Sequence, residues 1–474
     1  MTTIEFSGLE YHADQTFAEA VYRFDGDPSQ GFRIERNGQL HFELGAGYRI
    51  LRSVTCGVCS TDLDRHFLPF PLPQITGHEL VAVDEPGDRY VVEINASHWT
   101  RAVSSACPYC SNGLPTHCVD RRVLGIHDLP GGFGPWVLAP VRAALRIPEA
   151  IPSDTAVLVE PFAAALHAVT TMRPQAGERV AVLGPRRLGL LVVAALAGYR
   201  ARHRLDFEIL ALSRHAALLD LARALGGDES LLVEGDGRGL PEAEFDRVID
   251  TTGNPLALEL ALRLASREVH VKSTHGRPAG GLTHLTELVV DEIAIGAFIA
   301  EDVPDGARVA WLVDAPPPEG LTQRVRLARA TDRSGPDRLL RALEREATGN
   351  ELPRFDVAVV GSAAAVDAAI RPSREHERSL ITPRGTLLVH PRADTTSSAL
   401  LAAIVGRGLR LSSSRCGDFQ AALDLIQDDP ELCRLGEKLV THRFPARELP
   451  RAFAMARSPE CIKALIDHEP GETR

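Results

Sequence analysis

The sequence is poor in lysine. Its 52 basic residues include only three lysines, Lys272, Lys438 and Lys463, and codon bias in a GC-rich genome accounts for such an excess of arginine. Acidic residues number 63, so the formal charge is −11. This balance argues against a nucleic-acid partner held through its phosphates, although a local basic patch is compatible with it.

Long apolar runs are also missing, since no stretch reaches the roughly 18 residues that span a bilayer. The opening residues, MTTIEFSGLEYHADQ, lack the basic-then-apolar order of a signal peptide. These absences predict a cytoplasmic protein without a membrane partner. A composition of 44% hydrophobic and 24% charged residues is typical of a globular protein, and 474 residues predict two or three domains.

Cysteines are concentrated in the first quarter of the chain. Clustered cysteines without a secretory signal favour metal binding over disulfides, whereas the scattered Cys416, Cys433 and Cys461 are typical of small core residues. The clustered ones are Cys56, Cys59, Cys107, Cys110 and Cys118.

Cys107, Cys110 and Cys118 form a C-x2-C-x7-C pattern, one ligand short of a closed tetrahedral zinc site. A further cysteine three residues before Cys107 would complete the set, but Ser104 stands there, and a hydroxyl is a poor zinc ligand. Either another group completes a structural zinc site, or the loop has lost its metal and keeps its cysteines as thiols.

The segments Cys56-Gly-Val-Cys59-Ser-Thr61-Asp62 and Gly77-His78-Glu79 are more specific. They supply a thiolate, an imidazole and a carboxylate, with a second acid that can hold the other N–H of the imidazole. An open, catalytic zinc site requires such ligands and such an orienting acid. The alternative is a turn with a buried histidine and a chance pair of cysteines.

An ordered series of motifs resembles the zinc-containing medium-chain dehydrogenase/reductase family, the relatives of alcohol, sorbitol and threonine dehydrogenases. The resemblance covers most of residues 45–295 and 408–470 and implies an α/β protein. A GroES-like, β-rich catalytic domain would precede a doubly wound Rossmann cofactor domain. The motifs are GVCSTD, GHE, CPYCSNGLPTHC, VLGIHDLPGGFGPWV, VEPFAAALHAV, VAVLGPRRLG, DTTGNP, VKST, SSSRCGDF and VTHRFP.

The resemblance implies three ligands for a catalytic zinc, Cys59, His78 and Glu160. Glu160 lies in Val-Glu-Pro-Phe, and a glutamate there resembles the polyol-dehydrogenase branch. Glu79 would be the neighbouring acid, outside the coordination sphere or entering it during ligand exchange.

A proton relay is implied as well. Asp62 would hydrogen-bond His78, and Thr61 would pass the proton of the alcohol outward. The histidine that often continues this relay in alcohol dehydrogenases is replaced here by Asp64, which leaves the outer relay open.

Residues 179–200 are typical of a strand, a turn and a helix that bind a dinucleotide, with a departure from G-x-G-x-x-G. The turn is Gly184-Pro-Arg186-Arg-Leu188-Gly189, and Arg186 replaces the middle glycine, where it could crowd the phosphates or pair with them. The second strand ends in Ser213-Arg214 instead of an acid for the ribose, which favours NADP over NAD. At the end of the fourth strand, Thr251 and Thr252 would face the cofactor.

The predicted catalytic domain is residues 1–165 with a return of the chain at 436–474, and the predicted cofactor domain is residues 166–435.

The family pattern passes directly from VVDEIAIGAFIA to an SRCG segment, but here about 110 residues intervene, which predicts an α/β insertion at about 297–409 in the cofactor domain. A weak repeat relates 245–274 to 355–391, through either duplication or the general similarity of βαβ units. Family dimers commonly join these sheets edge to edge, so the chain is a homodimer, or a monomer if the insertion caps that edge.

The predicted function is zinc-dependent, reversible oxidation of a secondary alcohol, polyol or sugar-like small molecule with NAD(P). One alternative is a non-catalytic descendant acting in binding or assembly, since Ser104, Arg186 and the insertion depart from the family. Another is a lyase or epimerase that uses the zinc and a tightly held nucleotide.

Overall fold

The computed structural model describes residues 2–237, 239–273, 276–330, 332, 334–373 and 378–469, except for the side chain of Phe67. By its internal contacts the chain divides into two compact units, residues 1–163 with 417–474 and residues 164–416. The first is rich in strands and the second alternates strands with helices, which confirms the predicted α/β class. The domain boundaries at 165/166 and 435/436 stay predictions.

The first unit begins with an antiparallel meander of strands. Apolar residues alternate with polar ones in the second strand, where Tyr22 and Phe24 are buried, because successive side chains of a strand point to opposite faces. The strands are β1 Thr2–Tyr11, β2 Phe17–Asp27, β3 Gly31–Arg36 and β4 Gln39–Leu44.

Further strands and short helices follow up to residue 172. The strands are β5 Tyr48–Gly57, β6 Glu79–Val83, β7 Arg89–Val92, β8 Asn95–Ala96, β9 Arg122–Val123, β10 Trp136–Pro140 and β11 Ala144–Arg146. The helices are α1 Ser60–Leu63, α2 Pro108–Ser111, α3 Ser153–Ala156 and α4 Val159–Met172.

The second unit first shows the alternation expected of a doubly wound sheet. Its strands are parallel and apolar, as in Val180 to Leu183, because helices cover both faces of such a sheet. The elements are β12 Arg179–Leu183, α5 Arg187–His203, β13 Glu208–Ser213, α6 Ala216–Ala224, β14 Glu229–Leu232, β15 Phe245–Asp250, α7 Pro255–Leu264, β16 Ala265–Val271, α8 Leu285–Val290 and β17 Ala294–Ala297.

The insertion continues the same pattern and leads back to a last strand of the sheet. Its elements are β18 Arg308–Leu312, α9 Glu319–Thr322, β19 Arg326–Arg329, α10 Gly335–Glu346, β20 Phe355–Ser362, α11 Ala363–Ile370, β21 Ile381–Asp394 and α12 Ala399–Arg407. The strand β22 Arg410–Ser413 follows. Over the described residues the sheet has eleven strands in the order β14-β13-β12-β15-β16-β22-β17-β21-β20-β18-β19.

The chain then returns to the first unit and completes its larger sheet. The returning elements are α13 Phe419–Asp428, α14 Pro430–Cys433, α15 Leu435–Leu439, β23 Val440–Pro445, α16 Leu449–Arg457 and β24 Lys463–Asp467. The sheet runs β11-β7-β6-β5-β24-β23, with β10 also paired to β5, so β24 lies directly beside the strand that precedes Cys59. Among the described residues, no helix combines the length and apolarity needed to cross a bilayer.

Candidate active site and metal centres

Cys59 and Asp62 lie where the chain turns from β5 into α1. Cys59 directly precedes the helix, and its backbone N–H donates to Asp62 Oδ2 over 2.9 Å. Asp62 Oδ1 accepts from the N–H of Gly77 over 3.2 Å. Since its carboxylate is buried and held by both segments, Asp62 fixes the loop of Cys59 against the loop of His78.

His78 is buried beside this carboxylate, with Nδ1 3.3 Å from Asp62 Oδ1. The thiol of Cys59 is close enough to the imidazole to affect the pKa of His78. Burial lowers the pKa of His78, but the charges of Asp62 and Cys59 outweigh burial and hold the pKa well above its ordinary value. The structure therefore brings together three of the predicted residues as thiol, imidazole and orienting carboxylate.

Glu79 directly follows His78 and is buried with it. It begins β6, is fully buried, and its Oε2 accepts from Nζ of Lys463 on β24. A Cβ at Gly57 would lie 2.2 Å from Glu79 Oε2, so only glycine fits at the end of β5. Glu79 Oε1 has no hydrogen-bond partner among the described residues.

A variant without the Glu79–Lys463 ion pair tests how much this pair contributes to the stability of the fold. Lys463→Met should lower the free energy of unfolding by about 3–5 kcal/mol, because it leaves a buried carboxylate charge without its partner. Urea denaturation measures the loss, and adding Glu79→Gln should restore part of it. Lys438→Met is the matched control, since Lys438 pairs with the exposed Glu431 and should contribute under about 1 kcal/mol. Equal losses in the two lysine variants would contradict this interpretation.

A thiol, an imidazole and a carboxylate are donor types that zinc binds, but among the described residues the cluster of donor atoms close enough to hold a metal is another one, between β8 and β9. A thiol beside an imidazole, whose other ring nitrogen faces a carboxylate, is the arrangement that orients histidine for zinc. The unpartnered oxygen of Glu79 adds an acid for the neighbourhood of the metal. Thr61 lies in α1 and Glu160 in the first turn of α4, both half-buried, and their roles stay predictions.

A cluster of donor atoms that could hold a metal lies between β8 and β9. Atoms of His98, Cys107, Cys110 and Cys118 that can bind a metal all lie within 4.8 Å of one another. Sγ of Cys118 lies 3.2 Å from Nδ1 of His98 and 3.9 Å from Sγ of Cys107. His98 thus offers the fourth donor that Ser104 does not, and four donors of these types suit a tetrahedral zinc site.

The surroundings of this cluster shift the pKa values of its thiols in opposite directions. Burial raises the pKa of Cys118 to about 12. Burial also raises the pKa of Cys107, but backbone N–H groups of Cys110, Val119 and Tyr109 outweigh it and lower that pKa. Nε2 of His98 lies 3.3 Å from Oδ2 of Asp120, so a carboxylate faces the ring nitrogen that is turned away from the cysteines.

The predicted phosphate turn joins β12 to α5. Gly184 has φ +81°, and a Cβ there would lie 2.5 Å from Thr252 Cγ2. A Cβ at Gly189 would lie 2.6 Å from Thr251 Oγ1. The hydroxyl of Thr251 donates to the carbonyl of Gly184 over 2.9 Å. The structure therefore packs these four predicted residues tightly at the ends of β12 and β15.

Arg186 takes the position just before α5, and Leu188 lies in the first turn of that helix. A helix N-terminus of this length presents N–H groups that favour an anion. Ser213 ends β13 and is buried, and its Oγ accepts from the N–H of His215 over 3.1 Å, while Arg214 is exposed. The turn thus has features of a phosphate site, with arginine where a middle glycine is usual.

Residues 45–149 match the family of the alcohol dehydrogenase GroES-like domain. Among curated proteins, the chain is 28% identical over 232 residues to the starvation-sensing protein RspB of Escherichia coli K12, covering 44% of this chain and 64% of RspB. It is 24% identical over 237 residues to the sorbitol dehydrogenase of Bacillus subtilis 168, covering 46% and 65%. The L-threonine 3-dehydrogenase of Bacillus licheniformis is 29% identical over 218 residues, covering 44% and 61%. The matches therefore span just under two thirds of these relatives.

Solved structures show the same fold. A short chain alcohol dehydrogenase (rspB) of E. coli CFT073, complexed with NADH, superposes with a TM-score of 0.55 at 18% identity, covering 98% of this chain and 99% of that one. A cobalt- and zinc-bound alcohol dehydrogenase of Pyrobaculum aerophilum gives a TM-score of 0.54 at 16% identity, covering 98% and 99%.

The fold joins a GroES-like domain to a Rossmann domain. The comparisons confirm the resemblance that the motifs predict: residues 45–149 match the GroES-like domain of alcohol dehydrogenases, and the chain is similar to alcohol and polyol dehydrogenases.

Proposed function

We propose that this chain is a zinc-dependent oxidoreductase that transfers hydride between NAD(P) and an alcohol, polyol or sugar-like substrate. The observation that carries the proposal is the buried carboxylate of Asp62, which accepts from the backbone N–H of Cys59 and lies 3.3 Å from Nδ1 of His78. Similarity to a sorbitol dehydrogenase and an L-threonine 3-dehydrogenase supports a small hydroxyl-bearing substrate.

Zinc held by Cys59, His78 and Glu160 would supply a Lewis acid that stabilises negative charge on the substrate oxygen. Other residues of the chain orient the ligands and transfer the proton. Asp62 keeps the imidazole in one orientation, and Thr61 takes the proton of the substrate hydroxyl and passes it outward. Glu79, fixed by Lys463, holds negative charge near the ligands without competing for the proton.

The nucleotide would lie on the turn between β12 and α5. Gly184 and Gly189 allow close approach of the backbone, the start of α5 directs N–H groups at the pyrophosphate, and Arg186 pairs with its charge. Thr251 and Thr252 shape the adjoining strand end. Bound there, the nicotinamide accepts or returns hydride.

NADP is the preferred cofactor in this proposal, because Arg214 is exposed at the end of β13, where a ribose 2′-phosphate needs a positive partner. Arg214→Asp should raise KM for NADP+ by about 10- to 100-fold, since a charge-assisted hydrogen bond contributes about 1.5–3 kcal/mol. KM for NAD+ should change little. Steady-state rates with both cofactors measure this, and Arg223→Ala on α6 is the control. Equal changes with the two cofactors would exclude the role of Arg214.

His98, Cys107, Cys110 and Cys118 would hold a second, structural zinc. Four protein ligands close the coordination sphere, so this ion would bind no substrate. Its part in the proposal is to fix the loop between β8 and β9.

The reaction class is tested with a panel of secondary alcohols and polyols, by following the absorbance of reduced nicotinamide. We expect reduction of NADP+ that stops when a chelator removes zinc and resumes when zinc is added back. Turnover that survives complete removal of zinc would refute zinc dependence. Retained nucleotide without net reduction by any alcohol would favour a lyase or epimerase instead.

A further inference from the structure

The insertion mirrors the cofactor half of its own sheet. One row of paired residues crosses all the strands that the structure describes in this sheet, and its residues are apolar from Leu210 to Ala328. The row is Glu229, Leu210, Ala181, Val248, Val269, Leu411, then Ile295, Leu387, Ala358, Ala310, Ala328.

The middle of the row is the antiparallel pair Leu411 and Ile295, and every other step in the row is parallel. Two like arms that run in parallel within themselves and meet in one antiparallel pair are related by a local twofold axis. The first arm is β14-β13-β12-β15-β16-β22, and the second is β17-β21-β20-β18-β19.

Specific hydrogen bonds repeat in the two arms as well. The backbone N–H of Arg179, the first residue of β12, donates to Asp246 Oδ2 over 2.9 Å. In the second arm, the N–H of Arg308, the first residue of β18, donates to Asp356 Oδ2 over 2.8 Å. Both aspartates follow the phenylalanine that begins the neighbouring strand. General similarity of βαβ units does not require the same carboxylate on the same backbone group, so duplication explains the arms better.

The last strand of each arm comes from the part of the chain that forms the other arm. Along the chain β17 follows β16, yet it pairs in parallel with β21 of the other arm. In the same way β22 follows β21 and pairs with β16. The central residues Val269, Leu411, Ile295 and Leu387 are buried and belong to one continuous apolar core. Each arm is therefore completed by a strand of the other.

The second arm lacks the phosphate turn of the first. After β12 comes Gly184 with its positive φ, followed by the long helix α5. After β18 comes Pro316-Pro-Pro318, followed by a helix of four residues, Glu319–Thr322. Prolines have no N–H to offer a phosphate. The second arm therefore has the same sheet as the first, but lacks the glycine turn and long helix that would bind a nucleotide.

We infer that the second arm, β17-β21-β20-β18-β19, is a non-binding counterpart of the cofactor half-sheet, which occupies within one chain the place of a partner subunit at the edge of β22. The edge strand of a sheet presents unpaired N–H and C=O groups that recruit another chain. Here β17 covers that edge, so the chain does not pair with a second copy through it. This inference stands independently of the proposed catalytic activity.

A disulfide across the central pair tests the inference in the full chain. Antiparallel partners lie about 4.5–5.5 Å apart at Cα, within reach of a disulfide. The double variant Ile295→Cys, Leu411→Cys should oxidise to an intrachain bond, lose two reactive thiols and migrate at 51.3 kDa on a non-reducing gel. Neither single variant should form covalent dimers. The buried antiparallel pair Leu51 and Val137 of the first unit, changed to cysteines, is the matched control.

Covalent dimers in the double variant, or in Leu411→Cys alone, would overturn the inference. So would a central pair that stays reduced where the control pair oxidises. Hydrogen exchange on the unmodified chain guards against a variant that fails to fold. Amides of residues 410–413 should be equally protected at every protein concentration, and protection that disappears on dilution would show a partner chain at this edge.

Discussion

Replacing His78 by alanine should reduce turnover of an alcohol with NADP+ by about 10³-fold or more. His78 is buried between Cys59 and Asp62, and a zinc ion bound there contributes several kcal/mol to the stabilisation of charge, where about 1.4 kcal/mol corresponds to a factor of ten. The fall should lie in kcat, because the metal acts on the reacting oxygen and the nucleotide site is left unchanged.

His41→Ala is the matched control for this variant, since His41 is exposed on β4. It should leave both turnover and metal content as they are. Elemental analysis should find about one zinc fewer per chain in the His78 variant. An active His78 variant with its full zinc content would exclude His78 as a catalytic ligand.

Replacing His98 by alanine should destabilise the loop between β8 and β9 and cost one zinc per chain. A structural zinc contributes apparent free energies of about 10–16 kcal/mol in small zinc-finger peptides, and we expect a loss of several kcal/mol in unfolding free energy here. His98→Cys should keep the zinc, because four thiolates are an equally good tetrahedral set.

Ser104→Ala is the matched control for the His98 variant. The family pattern places a cysteine at 104, but the structure leaves Ser104 exposed and out of the cluster. Thermal unfolding and elemental analysis of the two variants compare the positions directly. Loss of zinc from Ser104→Ala, with retention in His98→Ala, would reverse the assignment.

The proximity of Cys59, Asp62 and His78 could be predicted because they lie in short contiguous motifs. Cys59, Asp62 and His78 come from one turn and one strand start, so their types and order suffice to bring them together. The glycines of the phosphate turn were predictable for a similar reason. A positive φ at Gly184 and a close approach at Gly189 leave no room for a side chain.

Partners distant in sequence escaped prediction. Lys463 lies 384 residues from Glu79 and reaches it only because β24 returns beside β5. His98 precedes the cysteines by nine residues, outside the spacing that the family pattern supplies, although a histidine upstream of three cysteines was the available signal.

The exchange of β17 and β22 is beyond what an apolar pattern can indicate. Both segments are strands of four residues that follow a helix, AIGA in β17 and RLSS in β22, and neither short sequence specifies which neighbour it pairs with. The repeat in the sequence indicated two similar arms. Only the register of the strands shows which arm each one completes.

The measurement that tests the central claim most directly is zinc content together with a titration by NADPH, made on the same preparation of the full chain. We expect about two zinc ions per chain and saturable binding of one NADPH, with reduction of NADP+ by a secondary alcohol or polyol. A chain that folds without zinc and binds no nicotinamide nucleotide would contradict the proposed function and leave a binding or assembly protein in its place.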